Sequence, residues 1–561
     1  MFALNVLLVL TLALAEVFSA PTQTPFQVPA TKPRQLHGRF LQITDIHPDP
    51  YYKAHKSQSK ACHRNKPKKK KNRSNYYGTP YSLTNFTLDF LDKHWASDID
   101  FVVWTGDNAR HDNDRKLPRT PSEIYDLNSV IAKRMEEIFS SRGIPVIPSL
   151  GNNDVWPHNI LTPGECRSMA TAFFNSNIVI GPNSITNQYS SIWKPFIPFP
   201  YHQVFQRGAY YSVEVVPNAL AVISLNTMYF YDSNKAVGGC LTKEPDDPGN
   251  LQFDWLEVQL KLYRARNMQV WLTGHVPPSS GNFFPECYVR YVDLSLRFQD
   301  TILGHLYGHM NADHFFFVEA IDLEFDLDRD SRAISLQNGD LCDALLEDFS
   351  ALPKPSRTDL DNYGVINVSP PVVPNPYLPT FRIFSYNVTG FDASAVGVLK
   401  KDRKHSHHRG EHGNKDELCK EEPYRSSWKC QLNSTWHSDP DSPSRRNQLW
   451  SPLGYAQYYI PDLADGNKTH KPHFKLEYTT YSPLDLHPAT TEEDGEFVYP
   501  IPLGNLPKSL RKGPVEKSEY TPYGMRDLTI GSWVELARRL ANGKENKLRK
   551  RFREFMYIGG E

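Results

Sequence analysis

The sequence predicts an α/β layered catalytic body with its chemistry on loops at strand ends. Three observations lead there. Short apolar runs rich in β-formers recur between Arg39 and about Ala320, stretches with helical spacing lie between them, and the early runs end in polar loops bearing Gly or Asp. Strands that alternate with helices stack into layers, and the connecting loops are then free to carry function.

Taken in order, residues 1–20 come first. They hold an apolar run from Val6 to Ala15, followed by Val17-Phe18-Ser19-Ala20. This reads as a signal peptide or an uncleaved signal anchor, so entry into the secretory pathway is expected, with a single-pass membrane anchor as one form of it. Strands are expected at residues 39–43, 101–104, 144–149, 220–225, 269–272 and 315–318. Helices are expected at residues 122–139, opening on a Ser cap, and at 253–266. The catalytic domain thus spans 38–322, and residues 323–400 complete its body with strands at 365–368 and 380–386. Residues 401–445, with the His-rich string HSHHRGEHGNK at 405–415, read as an exposed low-complexity insertion. The last part, 446–561, reads as an extension packed on the catalytic domain. Its helical stretch IGSWVELARRL is followed by KENKLRKRFREF, a solvated amphipathic end.

Composition narrows the function classes. Lys plus Arg and Asp plus Glu number 63 each among 561 residues, so no global field marks a nucleic-acid binder, and any attraction for anions must be local. Asn-x-Ser/Thr sequons at Asn72, Asn85, Asn367, Asn387, Asn433 and Asn467 suit a lumenal body carrying N-linked glycans. The 7 cysteines lack any C-x-x-C pair, and in an oxidising compartment a few disulfides are their expected use.

The chemistry lies in short motifs that arrive where strands should end: Asp45-Ile46-His47, Gly106-Asp107 through His111, Gly151-Asn152-Asn153-Asp154, Gly274-His275 and Gly308-His309-Met310-Asn311. Singly, each is ordinary turn chemistry. Together they supply what a pair of divalent cations needs: a shared carboxylate, hard oxygen donors and imidazoles gathered on one rim. Asp-x-His sets two ligands on one side of an extended segment, and the glycines let the backbone turn beside the metals.

These motifs resemble those of the calcineurin-like metallophosphoesterases over roughly residues 38 to 320. The resemblance implies a four-layer α-β-β-α sandwich and two divalent metal ions, Mg, Mn, Co or Zn. It implies that Asp45, His47 and Asp107 hold the first metal, that Asp107 bridges, and that Asn152, His275 and His309 hold the second. Two positions depart from the family pattern. Asn311 stands where a His is usual on the first metal, and its amide oxygen suits a hard cation better than zinc. Asn153 replaces the usual His near the leaving group, where an amide can still donate a hydrogen bond to developing charge. His111 is then the candidate for protonating the leaving oxygen, or else a loop cap bonded to Asp154. Arg110 either grips a non-bridging phosphate oxygen or pairs with Asp112 or Asp114.

The strings TGDNARHDNDR, SLGNNDVWPHN and YGHMNADHFFF, with the later YTPYG and WVELARRL, resemble the endopolyphosphatase subgroup, both Asn departures included. That resemblance implies internal cleavage of inorganic polyphosphate by a metal-activated hydroxide in a vacuole lumen or at its membrane. The basic stretch from Lys53 to Arg73 is either a local patch for a polyanion or a flexible loop. The alternatives are a phosphodiesterase of acid-sphingomyelinase type, which would share the metals, and a metal-free binding glycoprotein.

Overall fold

The computed structural model describes residues 35–54, 56–57, 60–65, 80–166, 179–325, 340–374, 377–391, 418–422, 424–432, 434–463, 472–487, 500–513 and 515–558. Residues 1–20, the His-rich string, the lysine run at 68–71 and the sequons at Asn72, Asn433 and Asn467 lie outside them. Among the described residues no helix is long and apolar enough to cross a membrane.

Among the described residues fourteen strands carry the fold: β1 Arg39–Ile43, β2 Phe101–Trp104, β3 Val146–Pro148, β4 Gly164–Cys166, β5 Val179–Gly181, β6 Tyr211–Val216, β7 Leu220–Ser224, β8 Gln269–Thr273, β9 Ile302–Tyr307, β10 His314–Glu319, β11 Tyr363–Val368, β12 Thr380–Tyr386, β13 Pro452–Tyr459 and β14 Lys475–Thr479. One six-stranded sheet has the order β14-β13-β12-β1-β2-β3 and the other β10-β11-β9-β8-β7-β6, while β4 and β5 form a small ribbon. Within the first sheet β1, β2 and β3 run parallel; within the second, β7, β8, β9 and β11 do. Those parallel strands are buried throughout, which is why they read as unbroken apolar runs rather than alternating ones.

The two sheets face each other across an aromatic seam. Phe40 of β1 meets Trp271 of β8 at 5.1 Å between centroids, and Trp271 meets Phe384 of β12 at 6.1 Å. Polar stitches join the sheets near their active rim: Gln42 donates to the Tyr307 carbonyl, and Tyr211 and Ser224 both donate to the Pro148 carbonyl. Helices complete the layers. They are α1 Tyr81–His94, α2 Pro121–Ile138, α3 Ser184–Ile192, α4 His202–Gly208, α5 Pro248–Ala265, α6 Pro285–Arg297, α7 Leu341–Ser350, α8 Ile530–Ala541 and α9 Asn546–Tyr557. The architecture is the four-layer α/β sandwich. The cap of α2 is Thr120, whose hydroxyl accepts from the Glu123 amide, with Pro121 at the first helical position, so the helix starts one residue before the expected Ser.

In the C-terminal half, 418–445 differs from the expected exposed insertion, the basic end differs from the expected solvated one, and 446–561 goes beyond packing on the catalytic domain by adding strands to it. Strands β12, β13 and β14 continue the first sheet by antiparallel pairing. Much of 418–445 is held down: Cys419–Cys430 form a disulfide, Trp428 donates to the Cys240 carbonyl, and Trp436 is buried. The basic end is helix α9, whose Leu548, Phe552, Phe555 and Met556 are buried, so its charges form one face of a packed helix. A second disulfide, Cys240–Cys287, ties the loop before α5 to the start of α6. Asn367 is buried within β11, so that sequon offers no site for a glycan, whereas Asn85 is exposed and Asn387 partly so.

Candidate metal centre

Every motif lies just beyond the C-terminal end of a parallel strand: Asp45 and His47 after β1, Asp107 after β2, Asn152 after β3, His275 after β8, and His309 and Asn311 after β9. Both sheets therefore deliver their loops to one rim, the usual place for a ligand on a parallel sheet. The loops are laced to one another by backbone bonds, from Asp45 N to the Gly106 carbonyl, Ile46 N to the Asp107 carbonyl, and Gly308 N to the His275 carbonyl.

Asp45, His47 and Asp107 bring one ligand atom each within 4.8 Å of one another, all buried. His47 Nε2 stands 3.5 Å from Asp45 Oδ1 and 3.5 Å from Asp107 Oδ2, and His275 Nε2 stands 3.2 Å from the same Asp107 oxygen. These gaps are long for charge-assisted hydrogen bonds. They match donors sharing one cation, since two atoms each about 2.1 Å from an ion lie roughly 3.0–3.4 Å apart. Asn152 Oδ1 completes the other side, 2.9 Å from His275 Nε2 and 2.9 Å from His309 Nδ1. Its Nδ2 is occupied by Asn159 Oδ1, which turns the oxygen inward.

Outer partners set the imidazoles. His47 Nδ1 bonds the Ala109 carbonyl at 2.6 Å and His275 Nδ1 the Thr105 carbonyl at 2.7 Å, which turns each Nε2 inward. His47 Nε2 and Asn311 Oδ1 are buried with no hydrogen-bond partner among the described residues. Two unanswered acceptors beside two buried carboxylates suit a cation. The chain holds Asp45, His47, Asp107, His309 and Asn311 at positive φ, between 42° and 72°. Such strain in non-glycine residues persists where the surroundings over-determine it, commonly at functional sites.

Gly106 makes the expected sharp turn, at φ 89°. Gly151 serves a different end: a Cβ there would stand 2.1 Å from Asp107 Oδ1. Gly151→Ala is therefore expected to push the carboxylate aside and weaken metal binding by about 10- to 100-fold. Metal content after dialysis against graded chelator checks it, and unchanged retention would refute it.

Charge follows the same geometry. Burial alone would raise the Asp107 carboxyl, yet His275 and His47 outweigh it and hold it well below the usual carboxylate range. Burial would lower His275, but Asp107 raises it to about 9. Burial, then His275, pushes His309 down to about 4. A cation must displace the His275 proton, so below pH 9 uptake releases about one proton and apparent affinity falls about tenfold per pH unit. Titration calorimetry in two buffers of different ionisation enthalpy counts that proton at pH 7; a count of zero would refute the coupling.

Three expected residues behave otherwise or in part. Arg110 is not offered to a ligand: its guanidinium pairs with Glu123, donates to the Leu117 carbonyl, and sits over the Tyr51 ring. Neither Asp112 nor Asp114 is its partner; Asp114 instead takes His63 and Arg64. Asn153 spends its amide on Asp107 Oδ2 at 2.8 Å, with its backbone N on Oδ1, so it orients the carboxylate rather than reaching toward developing charge. His111 stacks on His47 at 3.8 Å between centroids, and its Nδ1 is buried and without a partner among the described residues. It makes no bond to Asp154. Burial, then His47, lowers His111 well below its usual range, so its ring is neutral.

Two residues stand out that sequence reasoning gave no role. Asp154 is fully buried and accepts from the backbone of Asp107, Asn108, Ala109 and Gly151 and from Asn128 Nδ2. Arg119, 1 % exposed, donates to the Asn153 carbonyl at 2.5 Å. The fourth residue of G-N-x-D was a signal for Asp154; nothing separates Arg119 from the surface cations around it.

The sequence profile of the Calcineurin-like phosphoesterase family matches residues 38–310. Over nearly its whole length the chain is similar to proteins named endopolyphosphatase. One from Cryptococcus neoformans is 38% identical, covering 94% of this chain and 92% of that protein. One from Schizosaccharomyces pombe is 31% identical over 91% of this chain and 84% of its own. One from Saccharomyces cerevisiae is 30% identical over the same shares, 91% and 84%.

Proposed function

The chain belongs to the endopolyphosphatase family of calcineurin-like phosphoesterases, and on that premise we propose that it hydrolyses internal phosphoanhydride bonds of inorganic polyphosphate to shorter chains. The observation that carries the reading is the convergence of five strand-end loops on the Asp107 carboxylate, with His47 Nε2 and Asn311 Oδ1 left unanswered.

In this reading Asp45, His47, Asp107 and Asn311 hold one divalent cation, and Asp107, Asn152, His275 and His309 hold the other. Bound there, the pair supplies Lewis acidity toward the phosphate and a water of lowered pKa. Asp107 positions both, and Asn153 positions Asp107. The carboxylate and amide oxygens suit Mg or Mn, and the three imidazoles suit Mn, Co or Zn, so the donor set is mixed.

The departing group explains why an amide suffices at 153. A phosphoanhydride expels a phosphate whose second pKa is about 6, and it needs far less help from an acid than an alkoxide does. The neutral His111 then donates a hydrogen bond to that phosphate through Nδ1. An ester substrate would ask for a protonated group, and burial denies His111 that state. The sphingomyelinase-like alternative is weaker on that ground.

The segment 1–20 delivers the body to the secretory pathway and a vacuole-like lumen, with glycans at Asn85 and Asn387 among the accessible sequons. Assay of the protein on long-chain polyphosphate with Mg, Mn, Co or Zn tests the activity. Endo-cleavage gives intermediate lengths on a gel early in the reaction. Orthophosphate alone from the start, or release of choline phosphate or nucleotide from esters with polyphosphate untouched, would overturn the assignment.

A further inference from the structure

Three arginines are almost wholly buried: Arg110, Arg119 and Arg382. Arg110 pairs with Glu123 and Arg382 with Asp313. Arg119 makes no ion pair among the described residues. Its Nη1 donates to the carbonyls of Asn153 and Arg110, and its Nε and Nη2 are buried with no partner. A buried guanidinium that no carboxylate touches is costly, and one with two unused nitrogens is costlier still. Evolution tolerates such a group where an anion arrives to complete it.

Its place says which anion. Asn153, to which Arg119 is anchored, bonds both oxygens of Asp107, so the guanidinium stands one residue behind the shared carboxylate. His111 adds a third buried nitrogen without a partner among the described residues, in the same loop. Burial, then Asp112 and Asp107, act on the Arg119 charge, and Arg119 in turn lowers both His111 and His158, which places these groups in one electrostatic neighbourhood. Helix α2, capped by Thr120, fixes the Arg119 backbone beside this loop.

We infer that Arg119 forms an anion subsite beside the metal centre that takes the non-bridging oxygens of the phosphate flanking the one attacked. A guanidinium fork suits two phosphate oxygens, and a second phosphate is what separates an anhydride chain from a monoester. The inference rests on the polyphosphate reading for its substrate, while the subsite itself is read from geometry.

Imidodiphosphate, which carries two phosphates joined by a nitrogen the enzyme cannot cleave as an anhydride oxygen, is the probe, and orthophosphate is its one-phosphate control. Calorimetric titration of metal-loaded wild type, Arg119→Met and Arg119→Lys reads both affinities. Arg119→Met is expected to weaken imidodiphosphate by about 10- to 100-fold and orthophosphate by less than about threefold. Bound metal should be unchanged, and the melting temperature unchanged or higher, since an unpaired buried charge has been removed. Arg119→Lys should recover part of the affinity, and it stands in if the Met variant fails to fold. Equal loss for both anions, no loss for either, or a loss accompanied by lower metal content would overturn the subsite. Failure of wild type to cut polyphosphate, with the Arg119 pattern intact, would remove the substrate and leave the subsite standing.

Discussion

Asp107→Asn is expected to reduce polyphosphate cleavage by at least about a thousandfold, because one side chain faces nearly every other member of the site. Its Oδ1 accepts from Asn153 N, and its Oδ2 accepts from Asn153 Nδ2 while facing His47 and His275. An amide can reproduce one of those edges. With its oxygen at Oδ1, its NH2 would meet the Asn153 NH2 and two imidazole nitrogens that want a cation between them. The negative charge that two cations would share is gone in either orientation. Metal analysis beside the activity assay separates the causes: bound metal should fall below the wild-type stoichiometry, with a small change in melting temperature. Activity within tenfold of wild type and full metal content would show that Asp107 is not the shared ligand.

The residues of that site were legible before any coordinates because metal chemistry restricts residue type, and parallel strands restrict position. Carboxylate, imidazole and amide had to fall just after apolar runs, and β1, β2 and β12 had the boundaries expected of them. The missed elements lacked such restrictions. Strand β9 is interrupted in sequence by Gly304 and His305, and the glycine is there because the Trp271 ring lies where its Cβ would be, 2.9 Å away. Helices α1 and α6 open after Pro80 and Phe284 with no side-chain cap, so α1 lacks a capping signal and α6 offers only Pro285 and Glu286 in its first turn. Strand β13 carries Pro452 and Gly454, and β14 alternates Lys475, Glu477 and Thr479 with apolar residues; pairing of β13 with β12 and of β14 with β13 makes them strands. The partner of Arg110 was missed for a like reason. Which of two cations has a carboxylate is settled by Glu123, thirteen residues from Arg110 in sequence and brought near by the first turn of α2.

Asp154→Ala is expected to be the most destabilising single change in the rim, at about 4–6 kcal/mol. It lies in the string G-N-x-D but touches none of the candidate metal ligands through its carboxylate except the Asp107 backbone. Its Oδ2 accepts from Asp107 N at 2.9 Å and Gly151 N at 3.1 Å, and its Oδ1 from Asn108 N at 2.8 Å, Ala109 N at 3.0 Å and Asn128 Nδ2 at 3.1 Å. One carboxylate thus closes the loop after β2 on the loop after β3 and pins both to α2. Truncation strands four buried backbone N–H groups, and each orphaned donor costs about 1–3 kcal/mol before relaxation. Relaxation is limited because Asp107 and Gly151 are already in contact, so the sum exceeds the ordinary range for point changes. Asp154→Asn should cost about half as much: the amide oxygen can satisfy the Oδ1 donors, but its NH2 then opposes the amides of Asp107 and Gly151. Urea midpoints of the metal-loaded proteins order the series as wild type, Asn, Ala. A midpoint for the Ala variant within the error of wild type would mean that the two loops are held by the cations alone, and that the carboxylate knot beneath them is dispensable.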